Sequence, residues 1–237
     1  MPPKNITVIS SFARDTIVDA SGKKQELLGG PALFITDALE KTDFQYQLIT
    51  PPQPFTVEIQ VDARGEHGRI VNQPPVTIID LAKHTEAPVL ISTILQEFEF
   101  INKSNGARWL YIDAQGFVRD GRFSGGKKRW QPPSNMTNTI ACLKATDQES
   151  KYIDPAILQH LKERAIVIIT NGSQGSVLYN LGSISRLVPK MKADTKNTVG
   201  AGDTLLALFT AEHIRSNNVE LSLKRATDGV TDFLINK

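Results

Sequence analysis

The sequence predicts an α/β fold: a doubly wound, mainly parallel sheet flanked by helices, with a small β lid. Three observations carry that prediction. Short apolar runs recur that are continuous rather than alternating, which is how strands covered on both faces read. Helical patterns lie between several of these runs, the order expected of βαβ units. Two further segments break the pattern with hairpin-like stretches, one strictly alternating, as in a sheet with one wet face. At 237 residues the chain is long enough for one such domain with a sizeable core, and it reads as a single domain over 1–237.

The expected main-sheet strands are ITVIS (6–10), YQLIT (46–50), VTIID (76–80), VLIST (89–93), RWLYID (108–113), TIACLK (139–144) and AIVIIT (165–170). Between them PALFITDALEK, TILQEFEFINK and DPAILQHLKER read as helices. Two more helices are expected over 204–215 and 221–235, the second burying Leu223, Ala226, Val230, Phe233 and Leu234 at helical spacing. TIVDASGKKQELL (16–28) resembles two short strands around a Ser-Gly-Lys-Lys turn. In FTVEIQV (55–61), Phe55, Val57, Ile59 and Val61 share one face and Thr56, Glu58 and Gln60 the other. These segments place the lid at about 16–28 and 54–74. No internal repeat and no low-complexity tract interrupts the core.

Composition excludes several function classes. With 27 basic and 25 acidic residues the formal charge is +2, which gives no electrostatic case for nucleic acid or anionic lipid. The local exception, GGKKRW (125–130), is expected to be surface charge on a loop. Cys142 is the single cysteine, so no intramolecular disulfide can form, and its apolar setting reads as a core thiol. No window approaches the apolar length of a membrane-spanning helix, and MPPKNITVIS has no apolar core with a small-residue cleavage site. The histidines have no metal-ligand spacing. A cytoplasmic protein without a resident metal cluster is the expectation.

The most informative stretch is NTVGAGDTLLALF (197–209), where an acid sits between a glycine-rich turn and an apolar helix. A carboxylate is welcome at a helix N-terminus for structural reasons alone, so Asp203 can be read as a cap. It can also be read as a base beside an anion hole, because successive N–H groups at such a junction converge on an anion. There is no G-x-x-x-x-G-K-[ST] P-loop and no G-x-G-x-x-G dinucleotide fingerprint. The five fixed letters of T-x-G-A-G-D would arise by chance in roughly 3 in 10,000 chains of this size, which makes the combination specific.

This stretch resembles the signature of the ribokinase-like carbohydrate kinases, the phosphofructokinase-B group, where D-T-x-G-A-G-D opens a late helix. LLGGPALFITDAL (27–39) is similar to the family's early Gly-Gly segment. IITNGSQGSVLY (168–179) resembles its T-x-G-x-x-G strand–turn–strand, and LKATDQES (143–150) the segment with N-x-x-E. The order agrees across nearly the whole chain. The resemblance implies an ATP-dependent kinase that transfers the γ-phosphoryl group to a hydroxyl of a sugar or polyol. Asp203 would be the general base, with Gly200, Ala201 and Gly202 as the anion hole. It also implies a nucleotide site at Thr170, Gly172, Gly175, Asn197 and Thr198. Glu149 would hold Mg²⁺ through water.

Asp15 matches the position of a family acid that binds sugar hydroxyls, and Gly29 and Gly30 would let backbone approach a polyol. YIDAQGFVRD (111–120) places Asp113, Gln115 and Arg119 just after a strand, where open α/β sheets bind ligands, and it looks more like the inositol kinase branch. Arg119 reads either as a substrate contact or as one half of a surface salt bridge. The chain departs from the family at Asn197 (usually Asp), at Thr146 (usually the Asn of N-x-x-E) and at Phe34 (a substrate-binding Asn in ribokinases). The third argues against ribose. The chain is also short for the family, which leaves a wetter site or a lid completed by a second subunit as a homodimer. Two alternatives stay open: a nucleoside kinase of the same fold, and a non-catalytic nucleotide- or sugar-binding regulator.

Overall fold

The continuous apolar runs become the strands of an eight-stranded sheet ordered β14-β13-β12-β11-β10-β8-β1-β4. These strands are β1 (Asn5–Ser10), β4 (Gln45–Ile49), β8 (Val89–Ser92), β10 (Leu110–Asp113), β11 (Ile140–Thr146), β12 (Ile166–Thr170), β13 (Ser176–Asn180) and β14 (Ser183–Leu187). The structure, a computed structural model, describes residues 5–18, 22–62, 65–84, 86–101, 109–121, 126–189 and 197–236. From β4 to β12 the strands are parallel, and β13 and β14 add an antiparallel edge.

Burial explains why these runs do not alternate. Along β8, Val89 and Ile91 join one core and Leu90 joins the other, so both faces of the strand are covered. One face is covered by α1 (Pro31–Glu40), α6 (Ala201–Ser216) and α7 (Val219–Ile235), through Ile35, Leu39, Leu206, Phe209 and Leu223. The opposite face carries α2 (Gln115–Val118), α3 (Ser134–Thr137), α4 (Asp147–Ser150) and α5 (Pro155–Arg164), through Phe117, Met136 and Leu161. Cys142 is fully buried in the first of these cores, and burial pushes its thiol far up, so it is inert.

The helices obey local rules. Asp154 caps α5 by accepting from Ala156 and Ile157 N–H, with Pro155 at the first helical position. α6 ends at Asn217 in a left-handed conformation, and Asn218 then caps α7 by accepting from Leu221 N–H.

A second sheet, β3-β2-β5-β6, stands apart from the first. It comprises β2 (Ala13–Val18), β3 (Lys24–Gly29), β5 (Phe55–Asp62) and β6 (Gly65–Asn72), the segments in which hairpin-like strands were expected. Phe55 and Ala13 seat it on Ile94 and Leu95, while Leu28 and Val71 remain exposed.

Two expectations fail. Over its described residues, 93–101, TILQEFEFINK forms no helix: it turns at 94–96 and becomes β9 (Phe98–Ile101). VTIID leaves the main sheet, and β7 (Thr77–Asp80) pairs with β9 in a two-stranded sheet. The reason is Glu97, fully buried, whose carboxylate accepts from Ile94 N–H, Leu95 N–H and Ser11 Oγ. Those bonds give the backbone a better partner than a helix would. Parts of the expected segments, among them Ser21, Asn102 to Arg108, Gly125 and 190–196, lie outside the described residues. Among the described residues no helix is long and apolar enough to cross a membrane.

Candidate active site

Chain order and sheet order diverge between β1 and β8, because the chain leaves β1 for β4 on one side and returns to β8 on the other. Ligands of open α/β sheets bind in the crevice at the carboxyl ends of strands flanking such a switch point. Ser10 ends β1 and Ser92 ends β8, and Ser10 Oγ donates to Ser92 O at 2.7 Å. Ser92 Oγ in turn donates to Asp203 Oδ1 at 2.7 Å. The acid of the glycine-rich turn therefore stands in the crevice itself.

Gly200 is the N-cap of α6 with φ 81, a left-handed conformation that suits glycine, and a Cβ there would collide with the Phe34 ring of α1. Asp203 sits in the first turn and is buried. Its hydrogen bond runs to Ser92 across 111 residues of chain, so it is more than a local cap. Burial first, and the charge of Asp113 second, push its carboxyl up to about 6, against the opposing effects of Lys144, the Ser92 hydrogen bond and Arg119. Such a group is mostly ionised at neutral pH and close to the range in which a base works well.

The turn corrects one expected anion donor. Ala201 N–H donates to Thr198 O at 3.1 Å and closes the turn, so that N–H is already used. By helix geometry the N–H groups of Gly202 and Asp203 lack intrahelical acceptors and are the donors this terminus offers.

Under Gly202 the expected Asp113 meets a partner that the sequence reading missed, Lys144. Lys144 Nζ is 2.7 Å from Asp113 Oδ2, with the two side chains 3% and 1% exposed. Asp113 also accepts from Gln115 N–H at 3.0 Å, which fixes Gln115 through its backbone. Burial works against the Lys144 ammonium, but Asp113, Asp203 and Glu149 outweigh it and raise its pKa. The available signal was a lysine inside an apolar parallel strand, since buried lysines need partners.

Glu149 is buried in α4, which follows β11 directly. It forms a capping box with Thr146, whose side chain accepts from Glu149 N–H while Glu149 Oε2 accepts from Thr146 N–H at 2.8 Å. The departure from Asn to Thr thus keeps a good N-cap. Lys127 Nζ lies 3.9 Å from Glu149 Oε1, which corrects the expectation that GGKKRW is only surface charge. Burial, aided by Arg119, lowers the Lys127 pKa against the pull of Glu149 and Asp113. The backbones of Arg119 and Lys127 form an isolated antiparallel bridge, and Arg119 donates from Nη1 to Ile94 O at 3.3 Å.

Across the crevice Asp15 projects from β2 beside Gly29, so closely that a Cβ on Gly29 would overlap its Oδ2. Burial raises the Asp15 pKa. Gly30 caps α1 at φ 87, and a Cβ there would meet Ser11 O and Ala13 N at 2.6 Å. The structure brings Asp15, Gly29 and Gly30 together at the start of α1, whose Phe34 packs on Gly200. Thr170 ends β12 and the turn of Gly172 follows it, with Gly172 exposed and open space beside it. Gly175 instead packs under the Leu187 carbonyl and has a structural role. Asn197 and Thr198 are exposed at the head of the turn, where Asn197 Oδ1 accepts from Val199 N–H at 3.3 Å.

For magnesium, no group of three or more potential ligand side chains occurs among the described residues. One buried carboxylate, Glu149, fits a cation that keeps its waters and takes its other ligands from phosphate.

The profile of the pfkB family carbohydrate kinases matches residues 141–228. An inositol 3-kinase from Arabidopsis thaliana is 21% identical over 87% of this chain, and the chain spans 62–67% of the lengths of the plant inositol 3-kinases it matches. A pyrophosphate-dependent kinase of the ribokinase family, solved with a pyrophosphate analog and myo-inositol, superposes with a TM-score of 0.71 at 18% identity over 98% of this chain and 95% of its own. Arabidopsis thaliana ribokinase with ribose and ATP gives 0.68 at 15% identity over 97% and 91%. Residues 141–228 therefore resemble the pfkB family carbohydrate kinases, and the chain as a whole has a ribokinase-like fold.

Proposed function

We propose that the protein is a kinase that moves the γ-phosphoryl group of ATP to a hydroxyl of a sugar or polyol, with myo-inositol as the first acceptor to try. The observation that carries this is the carboxylate of Asp203, held by Ser92 at the switch point beside the open N–H groups of α6. Ser92 engages Oδ1, which leaves Oδ2 to take the proton of the acceptor hydroxyl. That hydroxyl oxygen bonds to the γ-phosphorus as the bond from phosphorus to the bridging oxygen breaks and ADP leaves, and the Gly202 and Asp203 N–H groups receive the charge on the phosphoryl oxygens. Asp15, beside Gly29 and Gly30, binds the acceptor's other hydroxyls, and Phe34 in place of an amide disfavours ribose. Thr170 and Gly172 line the donor site, with Asn197 and Thr198 at its edge. Glu149, with Lys127 beside it, would hold a hydrated Mg²⁺, which would supply screening of the donor's phosphate charge. The four-stranded sheet serves as the lid, and its exposed Leu28 and Val71 suit closure by a second subunit.

Product formation with ATP or pyrophosphate and a panel of polyols, sugars and nucleosides tests this. Transfer to a polyol from ATP is expected. Transfer from pyrophosphate alone would overturn the donor assignment while leaving the base in place. Nucleoside acceptance alone would overturn the acceptor class. Donor binding without any acceptor-stimulated turnover would make the protein a binding member of the family.

A further inference from the structure

The buried Lys144–Asp113 pair lies against Gly202 in the first turn of α6. Its charges are 2.7 Å apart and almost wholly out of water, and a buried pair of this kind is weak evidence of a role in stability. A Cβ on Gly202 would overlap Lys144 Nζ and stand 4.0 Å from Asp113 Oδ2, so both charges abut the residue preceding Asp203.

We infer that the Lys144–Asp113 pair is a positioning device: it seats the turn that carries Asp203 and sets the charge on that carboxylate. The inference rests on reading Asp203 as the base. The groups that face Asp203 come from separate elements. Asp113 closes β10, Lys144 lies in β11, Arg119 follows α2, and Ser92 closes β8. Glu149 and Lys127 act one step away, Glu149 on Lys144 and Lys127 on Glu149. Asp113 raises the proton affinity of Asp203 and Lys144 lowers it, so the pair works as two opposed settings on one group.

Opposite shifts from the two halves are the signature. In protein labelled at the aspartate carboxyl carbons, with Asp203 assigned by its loss in D203N, carboxyl NMR follows its titration directly and needs no substrate. The wild-type midpoint is expected near 6. K144M should move it up by about one pH unit and D113N down by about one. The double variant D113N/K144M, which leaves neither charge buried alone, should fall between the two and guards against a single variant that fails to fold. Midpoints that stay within about 0.3 of wild type in the variants that fold would overturn the inference, because a purely structural pair would lower stability without moving the titration. Failure of the base reading looks different: D203N would keep the wild-type rate of phosphoryl transfer to myo-inositol.

Discussion

Replacing Asp203 with asparagine should stabilise the fold while removing catalysis, and the sign follows from two opposing magnitudes. Burial and Asp113 lift the carboxyl from its ordinary 3.8 to about 6. At about 1.4 kcal/mol per pH unit, keeping it charged in the folded protein costs about 3 kcal/mol. Against this, a carboxylate in the first turn of α6 gains about 0.3–1 kcal/mol from the helix dipole. The cost wins. Because the folded-state pKa is raised, the favourable contribution is complete below the unfolded value near 4 and is lost as pH rises through about 6. The substituted amide can still accept the Ser92 hydrogen bond and carries no charge. The variant should therefore match wild type in urea unfolding at about pH 4 and exceed it by up to about 2–3 kcal/mol at about pH 8. Phosphoryl transfer should fall by about 10²–10⁴. A variant that is less stable than wild type at about pH 8, with its folded fraction as active as wild type, would refute the reasoning and make Asp203 a cap.

Three further outcomes follow from the same geometry. Gly200→Ala forces a side chain into a left-handed turn and against Phe34, so urea unfolding should show a loss of about 1–3 kcal/mol together with weaker donor binding. Gly29→Ala displaces the Asp15 carboxylate, so the acceptor KM should rise several-fold with kcat and thermal stability little changed; an unchanged KM would remove Asp15 from the acceptor site. Glu149→Gln keeps an N3 side chain able to complete the capping box but loses the charge facing Lys127, so the magnesium concentration for half-maximal rate should rise about ten-fold at near-constant stability.

What could be read in advance divides along physical lines. Strands buried on both faces announce themselves as continuous apolar runs, so ITVIS, VLIST and AIVIIT were legible. Asp203 was visible because a glycine turn, an acid and an apolar helix lie within a few residues of one another. TILQEFEFINK was misread because Phe98 and Phe100 alternate only over the last residues of a stretch whose other apolar positions fit a helix. What overrides that pattern is the grip of Glu97 on Ser11, 86 residues away.

The chain's own order of residues determined the α/β class, the second sheet and the turn that holds the acid, because each depends on periodicity or on neighbours a few residues apart. Tertiary structure alone decided what Asp203 faces: Ser92 from β8, Asp113 from β10 and Lys144 from β11 converge on it only once the parallel strands are in register. It also turned Lys127 inward and used up the Ala201 N–H. Burial and the approach of charges distant in sequence set the proton affinity of a carboxylate, and neither quantity exists until the sheet has formed.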